Sequence, residues 1–76
     1  DMNLDEIKSI VADILNISPS EVEPDSRFIE DLGADSLDVF QIITELEDRL
    51  GVQIPENVLE EISTVEDALV AINDAT

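Results

Sequence analysis

Apolar residues recur at the spacing of an amphipathic helix in the first part of the chain. This periodicity predicts a helix over residues 4–15. Its apolar face consists of Ile7, Ile10, Val11, Ile14 and Leu15. Asn3 and Glu6 have the spacing of a capping box, in which each side chain bonds the backbone of the other residue, so the helix is expected to begin just after Asn3.

A second amphipathic helix is predicted after Asp35, which is a good N-cap and has Asp38 three residues later. Gly51 is expected to end this helix. The core face is assigned to Val39, Ile42, Ile43, Leu46 and Leu50. The outward face holds Leu37, Gln41, Thr44 and Asp48, and the border between the two faces holds Ser36, Phe40 and Glu47.

Two further helices are predicted in the last third of the chain. Pro55 opens a short helix that runs to about Ile62, and Thr64 caps a fourth helix. Their apolar contacts are expected to be Val58, Leu59, Ile62, Val65, Ala68, Leu69 and Ile72. Residues 52–54 have strand-like composition, but an isolated strand has no partner.

The segment 16–34 shows no sustained periodicity and holds two prolines and a glycine. Residues 18–21 could cap one short turn. We expect four apolar residues to hold this long connection on the core, namely Val22, Phe28, Ile29 and Leu32. The sequence therefore predicts an all-α fold, a small four-helix bundle with a long first loop and a short third helix, as one domain over residues 1–76.

The charge balance narrows the classes of partner. Twenty acidic residues face three basic ones, which gives a net charge of −17. Nothing in the chain could neutralise a nucleic-acid backbone, and an anionic membrane surface would repel it, so we expect no nucleic-acid binding and no membrane insertion. Favourable partners would carry basic docking patches. Solubility alone is the simpler explanation of such acidity.

Other features of the composition suggest a location in the cell. The chain has neither Cys nor His, so no disulfide and no metal site are expected, and a reducing compartment would suit it. No membrane-spanning run or signal peptide is visible, so we expect a cytoplasmic protein. We also expect a monomer. Asp1 before Met2 suggests an expression leftover, with the natural chain starting at Met2.

Ser36 is the main candidate for chemistry. It falls in the first turn of the second helix, where unpaired backbone N–H groups and the helix dipole favour an anion. A nucleophilic serine needs an adjacent base, but the chain has no His and only one Lys, Lys8. No catalytic residue is therefore expected, and Ser36 would need another protein to modify it. The alternative is that Ser36 is an ordinary residue of the first helical turn with no chemical role.

Three short motifs are spread over residues 32–65 of the chain. The run from Leu32 to Asp38, with Ile54-Pro55 and the run from Ile62 to Val65, resembles the acyl carrier protein family. The resemblance implies that Ser36 receives 4′-phosphopantetheine from coenzyme A through a phosphopantetheinyl transferase. Acyl groups would then travel as thioesters on the arm, and the chain itself would not be an enzyme.

The resemblance also implies where partners and cargo bind. The second helix and the preceding loop would dock acyl-processing enzymes, through Asp35, Leu37, Asp38, Gln41, Glu47, Asp48, Glu56 and Glu60. Solvated surface charge is the alternative explanation for each acidic residue. The acyl slot would be lined by Phe40, Ile42, Ile43, Leu46, Leu59 and Ile62.

Three positions depart from the common fatty-acid pattern. Phe40 stands where carriers of fatty acid synthesis commonly have a smaller aliphatic residue. Gln41 stands where they commonly have Glu, and Thr44 where they commonly have Met. Phe40 could shape the mouth of the acyl slot, or it could simply pack into the core as a large aromatic. The changes at Gln41 and Thr44 remove one charge and one apolar contact from the expected docking face.

Several functions remain open at this stage. The form Gly-Ala-Asp-Ser-Leu-Asp is similar to that of carriers in dissociated fatty acid synthesis, and polyketide, aminoacyl and D-alanyl carriers are the alternatives. A calcium-binding regulator is disfavoured, because the twelfth loop position counted from Asp25 or Asp31 is Ser36 or Ile42 rather than Glu. An acidic cation-binding interaction module without a cofactor would share the same fold.

Overall fold

The computed structural model describes all residues from Asp1 to Thr76. Its elements are α1 (Leu4–Leu15), a 3₁₀ turn (Pro19–Glu21), α2 (Ser36–Leu50), α3 (Glu56–Leu59) and α4 (Val65–Asp74), without a β-strand. The predicted all-α fold with four helices, a long first loop and a short third helix is confirmed. None of these helices is long and apolar enough to cross a membrane.

The third helix is shorter than the sequence suggests. It ends at Leu59, and the chain continues as a turn through Glu60 and Glu61. The backbone N–H groups of Glu61 and Ile62 donate to carbonyls three residues back, at 3.0 and 3.2 Å. Such bonds are of the 3₁₀ type and tighten the backbone, so the expected helical end at Ile62 is wrong.

The N-terminal ends of α1 and α4 and the C-terminal end of α2 follow the local signals. Asn3 and Glu6 form the predicted capping box at the start of α1, and Thr64 forms one with Asp67 at the start of α4. Gly51 ends α2 in the left-handed conformation, with φ of 65°. Each capping box satisfies backbone N–H groups that the first helical turn leaves free.

The core lies where α1, α2 and α4 pack together. Its largest fully buried side chains are Phe28, Ile7, Ile42, Leu46, Ile72, Val11, Val22 and Val65. One expectation about burial is wrong, that for Ile29, and one of the two alternatives for Phe40 is excluded. Ile29 is 55% exposed, and Phe40 is 67% exposed on the solvent side of α2 rather than packed into the core.

The long loop is tied to the segment between α3 and α4. The Phe28 N–H donates to the Ser63 carbonyl at 3.0 Å, and the Val65 N–H donates to the Ser26 carbonyl at 3.0 Å. Arg27 and Thr64 form an isolated antiparallel bridge. These bonds satisfy backbone groups of the loop and set it in place beside the start of α2.

Candidate functional site

Ser36 is the first residue of α2 and lies inside a capping box. Asp35 Oδ1 accepts a hydrogen bond from the Asp38 N–H at 2.8 Å, and Asp38 Oδ2 accepts one from the Asp35 N–H at 3.1 Å. Both flanking carboxylates are thus engaged with the backbone. The Ser36 side chain is exposed and takes no part in this cap. The cap therefore fixes the backbone on either side of Ser36, and the exposed side chain is open to a modifying protein.

The loop before Ser36 folds back on itself. The Ala34 N–H donates to the Phe28 carbonyl at 2.9 Å, which closes the loop on a buried aromatic side chain. Gly33 has φ of 73°, in the left-handed region that residues with a Cβ adopt at a cost. No atom lies within 4 Å of where its Cβ would be, so the backbone angle rather than a lack of space favours glycine.

Arg27 and Asp31 brace the same loop. The Arg27 N–H and Nε both donate to Asp31 Oδ2, at 2.8 and 3.1 Å, and the guanidinium also reaches Oδ1 at 3.1 Å. These hydrogen bonds lower the pKa of the Asp31 carboxyl and raise the pKa of the Arg27 guanidinium. Both side chains are exposed, so the pair contributes more to the shape of the loop than to stability.

A cavity of about 310 Å³ lies directly beside Ser36. Its walls come from the long loop, α2 and the segment before α4. The lining residues are Phe28, Ile29, Glu30, Ser36, Val39, Ile62 and Ser63. Its volume is near the lower end of the roughly 300–1,000 Å³ of small-molecule pockets. Ser36 thus stands at the edge of a mostly apolar hollow.

Only one of the six residues expected to line an acyl slot lies at this cavity. Ile62 is part of its wall, whereas Ile42, Ile43 and Leu46 are buried in the core. Phe40 and Leu59 line a separate open groove of about 1060 Å³ between the C-terminal half of α2 and α3. The structure therefore divides the expected set among a cavity, the core and a groove.

Sequence reasoning missed most of the cavity. The sequence places Phe28 and Ile29 only as residues that hold the loop on the core, places Ser63 only within a family motif, and gives no sign of Glu30. Val39 was assigned to the core face of α2, and it is half-buried. Its position three residues after Ser36 on one helix was the available signal, because such residues share a face.

The expected docking residues lie mainly on exposed positions. The exposed ones are Asp35, Leu37, Gln41, Asp48, Glu56 and Glu60. Asp38 and Glu47 are half-buried, and the Glu47 carboxylate accepts a hydrogen bond from the Ile54 N–H at 2.7 Å. Leu37 and Phe40 add two exposed apolar side chains, at 65% and 67% exposure. This surface combines negative charge with apolar contacts. No group of three or more acidic residues is arranged to hold a metal ion.

Comparison with known proteins agrees with this geometry. Residues 5–71 match the family described as a phosphopantetheine attachment site. An acyl carrier protein of Sulfurovum sp. is 49% identical over 65 residues, covering 86% of this chain and 87% of the relative. That of Thermosynechococcus vestitus is 46% identical over 71 residues, covering 93% and 88%.

Solved structures give the same result. A candidate acyl carrier protein from Mycobacterium tuberculosis superposes with a TM-score of 0.82 at 32% identity, over 91% of this chain and 92% of the other. A hexanoyl carrier protein of the actinorhodin polyketide synthase of Streptomyces coelicolor gives 0.82 at 29% identity, over 97% and 90%. The chain belongs to the acyl carrier protein family, whose members are non-catalytic carriers with a 4′-phosphopantetheine prosthetic group.

Proposed function

We propose that this chain, as a single carrier domain over residues 1–76, bears its 4′-phosphopantetheine on Ser36 and carries acyl groups in fatty acid synthesis. The observation that carries the proposal is the exposed Ser36 hydroxyl at the N-terminus of α2, beside a largely apolar cavity. The residues fit the group: helix N–H groups suit a phosphodiester anion, and apolar walls suit an organic arm.

The attachment reaction needs an outside catalyst. A P–O bond forms between Ser36 Oγ and the phosphorus that carries the pantetheine, while the diphosphate P–O bond of coenzyme A breaks and adenosine 3′,5′-bisphosphate leaves. The hydroxyl proton goes to a base of the transferase. This chain has no histidine, and its only lysine, Lys8, lies on α1.

Intact mass tests the attachment site. Incubation with coenzyme A, magnesium and a broad-specificity phosphopantetheinyl transferase should add one arm to the parent chain and none to Ser36→Ala. Ser9→Ala, which changes an exposed serine on α1, should be modified like the parent. A parent mass that stays unchanged, or an arm that is still added to Ser36→Ala, would contradict the proposal.

The fatty acid pathway is supported by the relatives and by the motif around Ser36. The curated relatives share nearly half of their residues with this chain and are named acyl carrier protein. A polyketide role is the nearest alternative, since one similar structure comes from a polyketide synthase. The loaded chain should be extended by the condensing enzymes of dissociated fatty acid synthesis. Extension only by a polyketide ketosynthase would favour the alternative.

Docking is proposed to depend on the acidic face of α2 and α3. The candidate contacts are Asp35, Leu37, Asp38, Gln41, Glu47, Asp48, Glu56 and Glu60. A negatively charged face of this kind attracts partner enzymes with basic patches, and their association should slow as salt rises. The carrier is proposed to be a monomer in the cytoplasm, where a chain without cysteine suits the reducing conditions.

The acyl cargo is proposed to lie among the six apolar residues that the family resemblance assigns to the acyl slot. Candidate lining residues are Phe40, Ile42, Ile43, Leu46, Leu59 and Ile62. The exposed Phe40 side chain lines the same groove as Leu59, and in this proposal it shields a thioester chain there. Phe40→Val should then speed hydrolysis of an acyl thioester on the loaded carrier. Equal hydrolysis rates in the variant and the parent would remove Phe40 from this role.

A further inference from the structure

An open trough lies between α3 and α4. It consists of two adjoining hollows of about 320 Å³ each, which share Val58, Ala71 and Asp74. One hollow extends to Glu66 at the start of α4, and the other extends to Ala75 just after its end. At a rise of about 1.5 Å per residue, the trough follows α4 for roughly 14 Å, which is the length of a helix of about ten residues.

The floor of the trough is apolar and includes an exposed valine. Its apolar side chains come from α3, the turn after it and α4, namely Val58, Ile62, Val70 and Ala71. Val70 is 52% exposed, and it is the one exposed large apolar residue outside the long loop and α2. Because Val70 continues the apolar floor instead of lying alone, this surface has the character of an interaction site.

Carboxylates without basic partners form the rim of the trough. Glu61, Glu66 and Asp74 line it and are exposed. Both arginines of the chain pair with acidic residues elsewhere, and its only lysine lies on α1. The rim therefore has an uncompensated negative charge, which attracts a cationic partner.

Two of these carboxylates are in register with Val70. Glu66, Val70 and Asp74 follow one another at four-residue spacing on α4. Side chains at this spacing lie in one row along a helix, so the two charges stand about 12 Å apart along the axis with an apolar side chain between them. A second helix laid along the trough matches this row with a cation, an apolar residue and a cation at the same spacing.

Charge and secondary structure disfavour other occupants. A second copy of the chain would bring another net charge of −17 against the same acidic rim, and like charges at an interface repel. An extended strand would find no edge to pair with, because the trough lies between helices and the structure has no β-strand. A helix with basic and apolar residues on one face satisfies both the charge and the shape of the trough.

We propose that the trough between α3 and α4 binds a basic amphipathic helix of a partner protein. Lysine or arginine side chains of that helix pair with Glu66 and Asp74, and an apolar side chain between them packs on Val70 and Ala71. None of the proposed docking residues lines the trough, so this is a second interaction surface with contacts of its own. The inference does not depend on the attachment of an arm to Ser36.

A synthetic peptide tests the proposal on the intact chain. The probe is an alanine-based peptide of about 20 residues, long enough to form a helix in isolation, with Lys, Leu and Lys at four-residue spacing. A second peptide of identical composition places these three residues on different faces of the helix. Fluorescence anisotropy should show about fivefold tighter binding of the first peptide. Equal affinities would indicate attraction to net charge alone and would overturn the proposal.

The first helix supplies a matched control for charge. Asp5 and Asp13 on α1 are exposed and have the same eight-residue separation, with Ser9 rather than an apolar residue between them. Glu66→Gln combined with Asp74→Asn should weaken binding of the first peptide about fivefold. Asp5→Asn combined with Asp13→Asn removes the same charge and should change the affinity by less than about twofold. Equal losses in the two double variants would refute the assigned site.

Val70→Ser tests the apolar contact without a change in charge. It should weaken binding of the first peptide about fivefold. Leu37→Ser is the matched change on α2, at a site 65% exposed, and should leave the affinity unchanged. Amide NMR of the labelled chain then locates the peptide, with the largest shifts expected on α3 and α4. Shifts centred on α2 or spread evenly over the surface, or a loss of affinity in Leu37→Ser alone, would overturn the proposal.

Discussion

The Asn73 side chain pairs with the backbone of Met2 through both of its polar atoms. The Met2 N–H donates to Asn73 Oδ1 at 2.9 Å, and Asn73 Nδ2 donates to the Met2 carbonyl at 2.9 Å. The Met2 side chain is buried, at 3% exposure. The segment that precedes α1 is therefore held against α4, and a single amide joins the two ends of the chain.

Removal of this amide should destabilise the fold. Asn73→Ala leaves two partly buried backbone groups of Met2 without partners, at a cost of about 1–3 kcal/mol. In a domain of this size each kcal/mol corresponds to roughly 4–8 °C in Tm. Thermal unfolding followed by circular dichroism measures the loss. Asn57→Ala, at an exposed position of α3, is the control and should change Tm little. An Asn73→Ala variant as stable as the parent would contradict the assigned role.

The Glu47 carboxylate should stabilise the fold, whereas the carboxylate of the adjacent Asp48 should not. The Glu47 carboxylate accepts a hydrogen bond from the Ile54 N–H at 2.7 Å, and the Ile54 side chain is buried. Glu47→Ala should lower the free energy of unfolding by about 1.5–3 kcal/mol, the range for hydrogen bonds to charged groups. Asp48→Ala removes an exposed carboxylate and should change it by less than about 0.5 kcal/mol. Urea unfolding compares the two, and equal losses would refute this distinction.

The end of α2 should tolerate asparagine better than alanine. Gly51 has φ of 65°, and Asn16 has φ of 59° at the corresponding position after α1. Asparagine enters this conformation more readily than other residues with a Cβ. Gly51→Ala should therefore cost about 1–2 kcal/mol, and Gly51→Asn should cost less. Thermal unfolding compares the two variants, and a higher Tm for Gly51→Ala than for Gly51→Asn would contradict the prediction.

Asp67 should make stability depend on pH in the acid range. The backbone N–H groups of Ser63 and Thr64 donate to its Oδ2 at 3.0 Å each, and these bonds lower the pKa of the carboxyl from its ordinary value of 3.8. Because the folded pKa lies below the unfolded one, the stabilisation is complete above pH 3.8 and is lost as the pH falls through the folded pKa.

Asp67→Asn tests this dependence. The variant should unfold at a lower temperature than the parent at neutral pH, and the difference in Tm should shrink as the pH falls below 3.8. Glu66→Gln removes the same charge from an adjacent exposed residue and controls for relief of repulsion in a chain with a net charge of −17. A Tm difference that stays constant from neutral to acid pH would contradict the argument.

The sequence does not predict which of two adjacent apolar residues in the long loop is buried. Phe28 and Ile29 are adjacent and were both expected on the core, yet Phe28 is 1% exposed and Ile29 is 55% exposed. In a loop there is no repeating angle between successive side chains, so periodicity gives no assignment. The hydrogen bond from Phe28 to Ser63, between residues far apart in the chain, decides which of the two points inward.

Phe40 shows a similar limit within a helix. The helical wheel placed it on the border of the core face, where either burial or exposure was compatible with the pattern. The structure leaves it 67% exposed, since α2 packs against α1 and α4 with other residues. A border position is decided by which neighbouring helix covers it, and the sequence of one helix does not contain that information.

The sequence by itself determined the presence of four helices and the N-terminal caps of α1, α2 and α4, and it marked the candidate serine. The caps depend on interactions between residues three positions apart, such as Asp35 with Asp38, which act within a single turn. Tertiary structure alone decided the cavity beside Ser36, because its walls come from the long loop, α2 and the segment before α4. Those segments meet only when the core has formed, through contacts that no local pattern encodes.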